Sequence, residues 1–277
     1  MTVMALSPQD VERITRSRGW RERRIEVFDT AGGRVLVKGQ RAERHPALYR
    51  LFLNVAARLT GVPFLKDVPK HGGARTQQVE VARLRALHEA GARVPRVLHE
   101  GPDHFVMQWL GGDHLGTLLQ AGHPHAVALW REAGDALVRL HARGQYLSQA
   151  CARNLIVDTD SQPPRLAGAI DFEDDPLEVM SLPEAQARDW LNFLQSTLWM
   201  LPLSPAQADA RLDDWMRLES GGVRQQFRRA ARQLGWLRHL PRWRRLGRDT
   251  LGLRSAAAAI HRFAARQDAR GVSGASS

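Results

Sequence analysis

The chain has almost no cysteine and no long hydrophobic run, and these two absences exclude several classes of protein. Cys151 is the only cysteine among 277 residues, so no intrachain disulfide and no cysteine-rich metal site can form. A single thiol is typical of a reducing compartment. No apolar run approaches the roughly 18 residues of a membrane-spanning helix, and residues 1–10 lack the apolar core of a signal peptide. We therefore expect a cytoplasmic protein, either soluble or peripheral on the inner face of the membrane.

The bulk composition is that of a folded protein without an evident histidine metal site. Hydrophobic residues make up 43% and charged residues 25% of the chain, which are ordinary values and argue against wholesale disorder. The eleven histidines show no HExxH or similar spacing. A chain of this length can bury a substantial core and fits one two-lobed domain or two small ones.

The positive charge is concentrated near the C-terminus. Residues 224–270 contain 13 Arg and only two acids, Asp249 and Asp268, so this segment carries +11, the net charge of the whole chain. Its arginines are interleaved with aromatic residues such as Phe227 and Trp236. This pattern favours contact with an anionic membrane surface or a lipid-linked substrate. The alternatives are a solvated helical face that packs its apolar side on the protein and, least favoured, nucleic-acid binding.

Strand signals come first in the chain and helical signals come later. Residues 24–28 and 34–38 are β-prone runs joined by a glycine-containing turn, which predicts a hairpin. Further strands are predicted at 94–98 and 105–110. Helices are predicted at 46–60, 76–90 and 127–142, and over most of the chain after residue 184. This order predicts an α+β fold with a small β-rich N-lobe and a helical C-lobe.

The same pattern suggests three regions. We expect an N-lobe over residues 1–110 with a helical insertion at 46–60, and a C-lobe over 111–220. Residues 221–277 are expected to form basic C-terminal helices and a frayed tail.

Asn154 and Asp171 are the most informative pair of polar residues. Asn154 precedes one short apolar strand, and Asp171 ends a second one in the sequence Ala169-Ile170-Asp171-Phe172-Glu173. An amide oxygen and a carboxylate are hard ligands that suit Mg²⁺. This placement, with the asparagine before one short strand and the aspartate after the next, is typical of kinase-type sites, which hold Mg²⁺ against nucleotide phosphates.

The position of the usual catalytic base holds a different residue. A catalytic-loop aspartate is expected five residues before the asparagine, and that position is Gln149. Glutamine cannot accept a proton as a carboxylate can, although it can orient a hydroxyl by hydrogen bonding. Asp174 or Asp175, close to Asp171, are the alternatives for this role.

Lys38 and Glu80 are the candidates for a phosphate-binding pair. Lys38 ends the β-run 34–38, and Glu80 shares one helix face with Leu84 and Leu87. A charge on a buried helix face normally has a partner, and kinase-type sites pair a strand lysine with a helix carboxylate. The alternative is a surface lysine and a glutamate near a helix N-terminus.

Residues 105–110, followed by two glycines, match a hinge between two lobes. The backbone of Gln108 and Trp109 would there meet the edge of an adenine, although an ordinary core strand fits the same residues. His141, near the end of the 127–142 helix, is expected to be a packing or capping histidine.

These motifs resemble the protein-kinase-like superfamily, in particular its bacterial lipopolysaccharide-kinase and aminoglycoside-phosphotransferase-like branch, over about residues 24–199. The resemblance implies a two-lobed kinase-like fold that binds ATP and Mg²⁺. It implies that Lys38 and Glu80 contact phosphates, that Asn154 and Asp171 hold the metal, and that Asp189 braces the catalytic loop.

Three departures from the family pattern bear on function. The family's His-Gly-Asp triplet is replaced by Leu147-Ser148-Gln149, and Glu173 stands where many kinases have glycine. The glycine-rich phosphate loop is poorly represented, with residues 16–19 as the candidate. Two hypotheses follow: a phosphotransferase acting on a sugar or lipid-linked hydroxyl of the bacterial envelope, or a pseudokinase that serves as a membrane-associated scaffold or regulator.

Overall fold

A computed structural model of the chain describes residues 5–40, 68–69, 71–240 and 248–274. The predicted helix at 46–60 and residues 241–247 of the basic segment lie outside the described residues. The helices are α1 (Pro8–Arg16), α2 (Gly19–Arg23), α3 (Gly73–Glu89), α4 (Leu115–Gln120), α5 (Ala126–His141), α6 (Leu182–Thr197), α7 (Pro205–Leu218), α8 (Gly221–Leu234) and α9 (Arg248–Gly274). The strands are β1 (Ile25–Thr30), β2 (Gly33–Gly39), β3 (Val97–Glu100), β4 (His104–Gln108), β5 (Asp113–His114), β6 (Leu155–Asp158) and β7 (Arg165–Ala169).

The N-lobe is built on a four-stranded antiparallel sheet in the order β1-β2-β4-β3. Successive side chains of a strand point to opposite faces. Val35 and Val37 of β2 therefore pack on one face, in a small core with Trp20 of α2. Lys38 points to the other face, from a strand that has a neighbour on each side, so its backbone is firmly held.

Two N-terminal helices cover this sheet, and the sequence interpretation missed both. α1 begins with a capping box, in which the side chains of Ser7 and Asp10 each accept a hydrogen bond from the other residue's backbone N–H. Residues 16–19, considered for the phosphate loop, form the junction of α1 and α2. There Ser17 Oγ donates to Glu26 at 2.7 Å. Neither Ser17 nor its neighbours in this junction line the cleft described below.

α3 carries one buried stripe, as the sequence predicts for residues 76–90, although it begins earlier, at Gly73. Val81, Leu84 and Leu87 enter the main hydrophobic core. Glu80 lies on the same side and is 1% exposed. The helix thus presents one carboxylate from its buried face.

The C-lobe joins a three-stranded sheet, in the order β5-β6-β7, to helices packed around aromatic rings. The ring centroids of Trp130 and Trp215 are 4.8 Å apart, and those of Trp190 and Trp215 are 5.2 Å apart. Gly134 allows this approach, because a Cβ added there would lie 2.1 Å from the Trp215 ring. These contacts join α5, α6 and α7 into one body.

The two C-terminal helices belong to the same core. Phe227 of α8 and Phe263 of α9 are fully buried, with ring centroids 5.6 Å apart. Arg262 and Arg266 of α9 form ion pairs with Asp209 of α7 at 2.7 and 2.8 Å. The apolar side of α8 therefore faces the protein, and its exposed side carries arginines.

The predicted fold class is confirmed: an antiparallel sheet region is followed by a helical C-terminal part, in a two-lobed kinase-like arrangement. Within the described ranges, no helix has both the length and the apolar composition that crossing a membrane requires.

Candidate active site

Lys38 and Glu80 form a buried ion pair at the base of a cleft between the lobes. Lys38 Nζ lies 2.7 Å from Glu80 Oε1, and the two residues are 5% and 1% exposed. Lys38 Nζ also lies 2.9 Å from Glu173 and 3.2 Å from Asp171. Strand β2 and the buried face of α3 thus bring Lys38 and Glu80 together, and three carboxylates share one ammonium.

The pKa shifts in this cluster follow from how the cations are shared. Burial disfavours the Lys38 ammonium, but the attraction of Glu80, Asp171 and Glu173 outweighs it and raises the lysine pKa. Burial also raises the pKa of Glu80, and Lys38 offsets this only in part. Glu173 is buried too, but Lys38 and the nearby Arg24 together lower its pKa to about 2. We conclude that Lys38 and Glu173 are charged at neutral pH.

Asn154 and Asp171 are brought together by the β6–β7 hairpin. Leu155 pairs with Ala169 in the antiparallel register, and Ile170 N donates to Asn154 O at 2.9 Å. Asn154 and Asp171 therefore flank the same end of this hairpin. Asp171 has a φ of +71°, a left-handed conformation that is uncommon outside glycine, asparagine and aspartate and that is enriched at active sites.

The donor atoms of this pair fit a magnesium ion. Asn154 Nδ2 donates to Gln149 O at 3.1 Å, which leaves the side-chain oxygen of Asn154 as its free ligand atom. The Asp171 side chain is 37% exposed, so its carboxylate is accessible from the cleft. No cluster of three His, Cys, Asp or Glu side chains suited to a metal occurs among the described residues. One carboxylate and one amide suit Mg²⁺, which is usually bound by one or two carboxylates together with substrate phosphates.

Gln149 lies on the cleft wall and is held from behind by Asp174. Its Nε2 donates to Asp174 Oδ2 at 3.1 Å, while Ser148 Oγ donates to Asp174 Oδ1 at 2.6 Å. Asp174 is 2% exposed and is not part of the cleft lining. Asp175 accepts from Tyr146 OH and caps the following turn. Both aspartates proposed as alternative bases are thus engaged in supporting contacts.

Asp189 of α6 supports the loop of residues 147–154 by a hydrogen bond to its backbone. Its Oδ2 accepts a hydrogen bond from Leu147 N at 2.6 Å and lies 3.4 Å from His141 Nε2. Glu219 Oε1 lies 2.7 Å from His141 Nδ1 and accepts from Trp190 Nε1 at 2.7 Å. His141 therefore bridges two buried carboxylates, which is more than the packing role expected from the sequence.

The protonation of His141 reflects this bridge. Burial lowers the pKa of the imidazole, but the hydrogen bonds and charges of Asp189 and Glu219 outweigh burial and raise it. No sequence motif pointed to Glu219. Glu219 directly follows α7 and reaches His141 only through packing of the helices.

The cleft has a volume of about 690 Å³, and its lining contains every predicted site residue except Glu80, which is buried against Lys38. That volume lies in the range of small-molecule sites, roughly 300–1,000 Å³. Gln108 and Trp109, the residues assigned to the hinge, line the cleft. Their N–H groups, however, already donate to Arg96 O and Arg34 O, so neither is free for an adenine edge. The apolar part of the wall comprises Ile25, Leu36, Pro95, Met107, Leu110, Ile156 and Ile170.

A sequence model of the phosphotransferase enzyme family, APH, matches residues 14–146. This chain is similar to phosphotransferases. The match supports the kinase-like transferase identification and contains Lys38, Glu80, Gln108 and Trp109. It ends before the 147–154 loop, so the roles of Gln149, Asn154 and Asp171 stay predictions that rest on their geometry. No curated protein matches the chain.

Arg24 is a cleft residue that the sequence interpretation missed. It was assigned to the first strand, but it follows α2 and has a φ of +70°, and β1 begins only at Ile25. Gly39 N donates to Arg24 O at 2.7 Å, which places Arg24 beside the end of β2. Its guanidinium forms an ion pair with Glu173 at 2.5 Å. Nothing local in the sequence signals a left-handed arginine.

Proposed function

We propose that this protein is an ATP- and Mg²⁺-dependent phosphotransferase that acts on a sugar or lipid-linked hydroxyl of the bacterial envelope. The observation that carries the proposal is the composition of one cleft. A buried lysine–glutamate pair lies on its N-lobe side, and an asparagine–aspartate pair with hard oxygen donors lies on its C-lobe side. Phosphoryl transfer depends mainly on positioning and charge neutralisation, which this arrangement can supply.

The roles follow from the contacts of each side chain. Lys38, held by Glu80, would bind nucleotide phosphates, and Asn154 with Asp171 would hold Mg²⁺. Bound Mg²⁺ supplies positive charge against the phosphate oxygens. The apolar cleft wall would take the base of the nucleotide.

Gln149 would orient the acceptor hydroxyl without accepting its proton. Because its Nε2 donates to Asp174, its Oε1 is the atom left to accept a hydrogen bond from substrate. Little proton removal is needed early in a loose phosphoryl-transfer transition state. The absence of a base would lower the rate by a factor of roughly 10²–10⁴. The rate enhancement from positioning and charge neutralisation would remain.

Charge outside the phosphate site supports an anionic or membrane-linked acceptor. Arg153 is exposed beside Asn154 and lines the cleft. Arg228, Arg229 and Arg232 lie on the exposed side of α8, and Trp236, just after this helix, is 59% exposed. An arginine surface with an exposed tryptophan suits anionic lipid headgroups. A peripheral position at the inner membrane face is part of the proposal.

A second candidate, a pseudokinase scaffold or regulator, is favoured by two observations. Gln149 stands at the expected base position, and the Glu173 carboxylate contacts Lys38 where a nucleotide phosphate would be expected. In this case the cleft would bind nucleotide or stay closed, and no phosphate would be transferred.

The deciding experiment measures ATP consumption by the purified protein in the presence of envelope extract, with Asp171→Ala as the control. A phosphotransferase consumes ATP and labels a component of the extract, and Asp171→Ala abolishes both. Thermal-shift titration with ATP and Mg²⁺ is carried out in parallel. If ATP stabilises the protein but no phosphate is transferred, the pseudokinase scaffold is the better description. If ATP neither stabilises the protein nor is consumed, the cleft is not a working nucleotide site.

A further inference from the structure

Two cations converge on a single oxygen atom in the cleft. Arg24 Nη2 lies 2.5 Å and Lys38 Nζ lies 2.9 Å from the same atom, Glu173 Oε1. Both cations and Glu173 line the nucleotide-sized cleft. Such convergence of a guanidinium and an ammonium is the arrangement that binds a phosphate oxygen.

The place of Arg24 in the fold supports this assignment. In kinases a glycine-rich loop covers the nucleotide phosphates. Here the chain enters β1 from helix α2, and Arg24 occupies the junction in a left-handed conformation. The strand pairing of Ile25 with Lys38 then puts Arg24 next to the lysine. A side-chain cation thus stands where backbone amides would serve in a glycine-rich loop.

Arg24 also has donor capacity left over. Its Nε is buried and has no hydrogen-bond partner among the described residues, although Nη2 is bound to Glu173. A buried donor without an acceptor is costly, and an incoming anion with several oxygens would satisfy it.

We propose that Arg24 and Lys38 form a two-cation subsite for a nucleotide phosphate, and that the Glu173 carboxylate occupies this subsite until the phosphate displaces it. This inference rests on the proposed nucleotide-binding function and adds to it a second phosphate-binding residue and a built-in competitor. Displacement frees Glu173 from the cations and exchanges one anion for another. No covalent step is involved.

The experiment compares the binding of ATP and of adenosine to the full chain by calorimetry, with and without Mg²⁺. Arg24→Gln should weaken ATP binding by roughly ten- to hundredfold, as expected for a lost charge-assisted hydrogen bond, and leave adenosine binding unchanged. Arg23→Gln, which removes the same charge from an exposed neighbour, is the matched control and should bind ATP like the native protein.

A second pair of variants tests the competitor. Glu173→Gln should raise the affinity for ATP in the absence of Mg²⁺, because a larger fraction of molecules then has a free subsite. Glu22→Gln, an exposed carboxylate on α2, is its control and should have no effect. Arg24→Gly provides a further variant whose folding is favoured, since glycine accepts the left-handed backbone at this position.

Several outcomes would overturn the inference. Unchanged ATP affinity in Arg24→Gln and Arg24→Gly, or an equal loss of ATP and adenosine binding, would show that Arg24 does not contact phosphate. Weaker ATP binding by Glu173→Gln without Mg²⁺ would show that Glu173 is not a competitor. If neither the native protein nor Glu173→Gln binds ATP, the nucleotide site fails together with the inference. Selective ATP binding without transfer upholds the subsite and rejects only the phosphotransferase.

Discussion

The carboxylate of Asp174 accepts a hydrogen bond from the side-chain nitrogen of Gln149 at 3.1 Å, and this contact fixes the orientation of the amide. An ionised carboxylate can only accept, so the nitrogen must face Asp174 and the oxygen must face away. Asp174 is buried and accepts a second hydrogen bond from Ser148. It therefore acts as a positioning residue behind Gln149, and its role bears directly on how a base could be restored.

Restoring an aspartate at position 149 should succeed only if Asp174 is changed as well. Gln149→Asp alone places a second carboxylate against Asp174, and like charges at hydrogen-bond distance raise the pKa of one of them. In Gln149→Asp/Asp174→Asn an amide donor again faces the carboxylate. If the native protein is a phosphotransferase limited by the missing base, the double variant should turn over faster by up to about 10²–10⁴-fold, and the single variant by less.

Asp174→Asn alone is the control for this pair, and steady-state ATP turnover is the measurement. A scaffold without transfer would give undetectable turnover in all three variants. A native protein that is faster than the double variant would show that glutamine itself suits the chemistry, and the missing-base description would then be wrong.

The stability of the protein should fall at alkaline pH, because the His141 bridge stabilises the fold only while the imidazole is protonated. The folded-state pKa of His141 is raised above its ordinary value of 6.5. The stabilisation is therefore fully present below about pH 6.5 and is lost as the pH rises through the folded-state pKa. Urea unfolding from pH 6 to 9 should show a falling free energy of unfolding. His141→Gln should lower that free energy at pH 6 and flatten its dependence on pH.

His88→Gln on the exposed side of α3 is the matched control and should keep the native pH profile. A His141→Gln profile that keeps the full alkaline slope would assign that slope to other groups.

Gly134→Ala should destabilise the C-lobe although alanine is the better helix former. In an exposed helix interior this change gains up to about 1 kcal/mol. At position 134 the added Cβ would lie 2.1 Å from Trp215, so one of the packed helices must shift. We expect a loss of about 1–3 kcal/mol in the free energy of unfolding, typical of an overpacked core. Gly221→Ala, with no atom within 4 Å of the added Cβ, is the control in denaturant unfolding and should show no comparable loss.

The exposed arginines of α8 should carry the affinity for anionic lipid. Replacing Arg228, Arg229 and Arg232 together with glutamine should weaken binding to phosphatidylglycerol-containing vesicles by about 1 kcal/mol per arginine. Binding to pure phosphatidylcholine vesicles should be weak before and after the change. Vesicle co-sedimentation at low salt provides the measurement.

The matched control removes three exposed arginines from other surfaces, namely Arg16, Arg75 and Arg85. If both triple variants lose the same affinity, the attraction comes from net charge alone. If the native protein does not bind anionic vesicles, the peripheral membrane position is wrong.

Local patterns in the sequence were sufficient to predict the paired residues of the cleft. The buried direction of Glu80 follows from its spacing with Leu84 and Leu87, and Lys38 was matched to it because kinase-type sites pair a strand lysine with a helix carboxylate. The β6–β7 hairpin likewise joins Asn154 to Asp171 over a short stretch of chain. These contacts depend on secondary structure and register, both of which leave a mark in the sequence.

Contacts that depend on tertiary packing could not be predicted in this way, because they join residues far apart in the sequence. Arg24 and Glu173 meet across 149 residues, and Glu219 and His141 meet across 78. The left-handed backbone of Arg24 is unusual for a residue with a side chain, so a β-prone run appeared to begin one residue too early. By contrast, the capping box of Ser7 and Asp10 is a local feature from which the start of α1 can be predicted.

The packing of α8 and α9 also has an evolutionary consequence. The exposed arginines of α8, namely Arg228, Arg229 and Arg232, can change with little effect on folding, so the charge of this surface can vary quickly between related proteins. The inward positions have no such freedom, because Phe227, Ala259 and Phe263 fill the core and Gly252 lies against the backbone of Gln195. In α8 and α9, the rate at which a residue can change would therefore depend on whether it faces solvent or the core, and not on its place along the sequence.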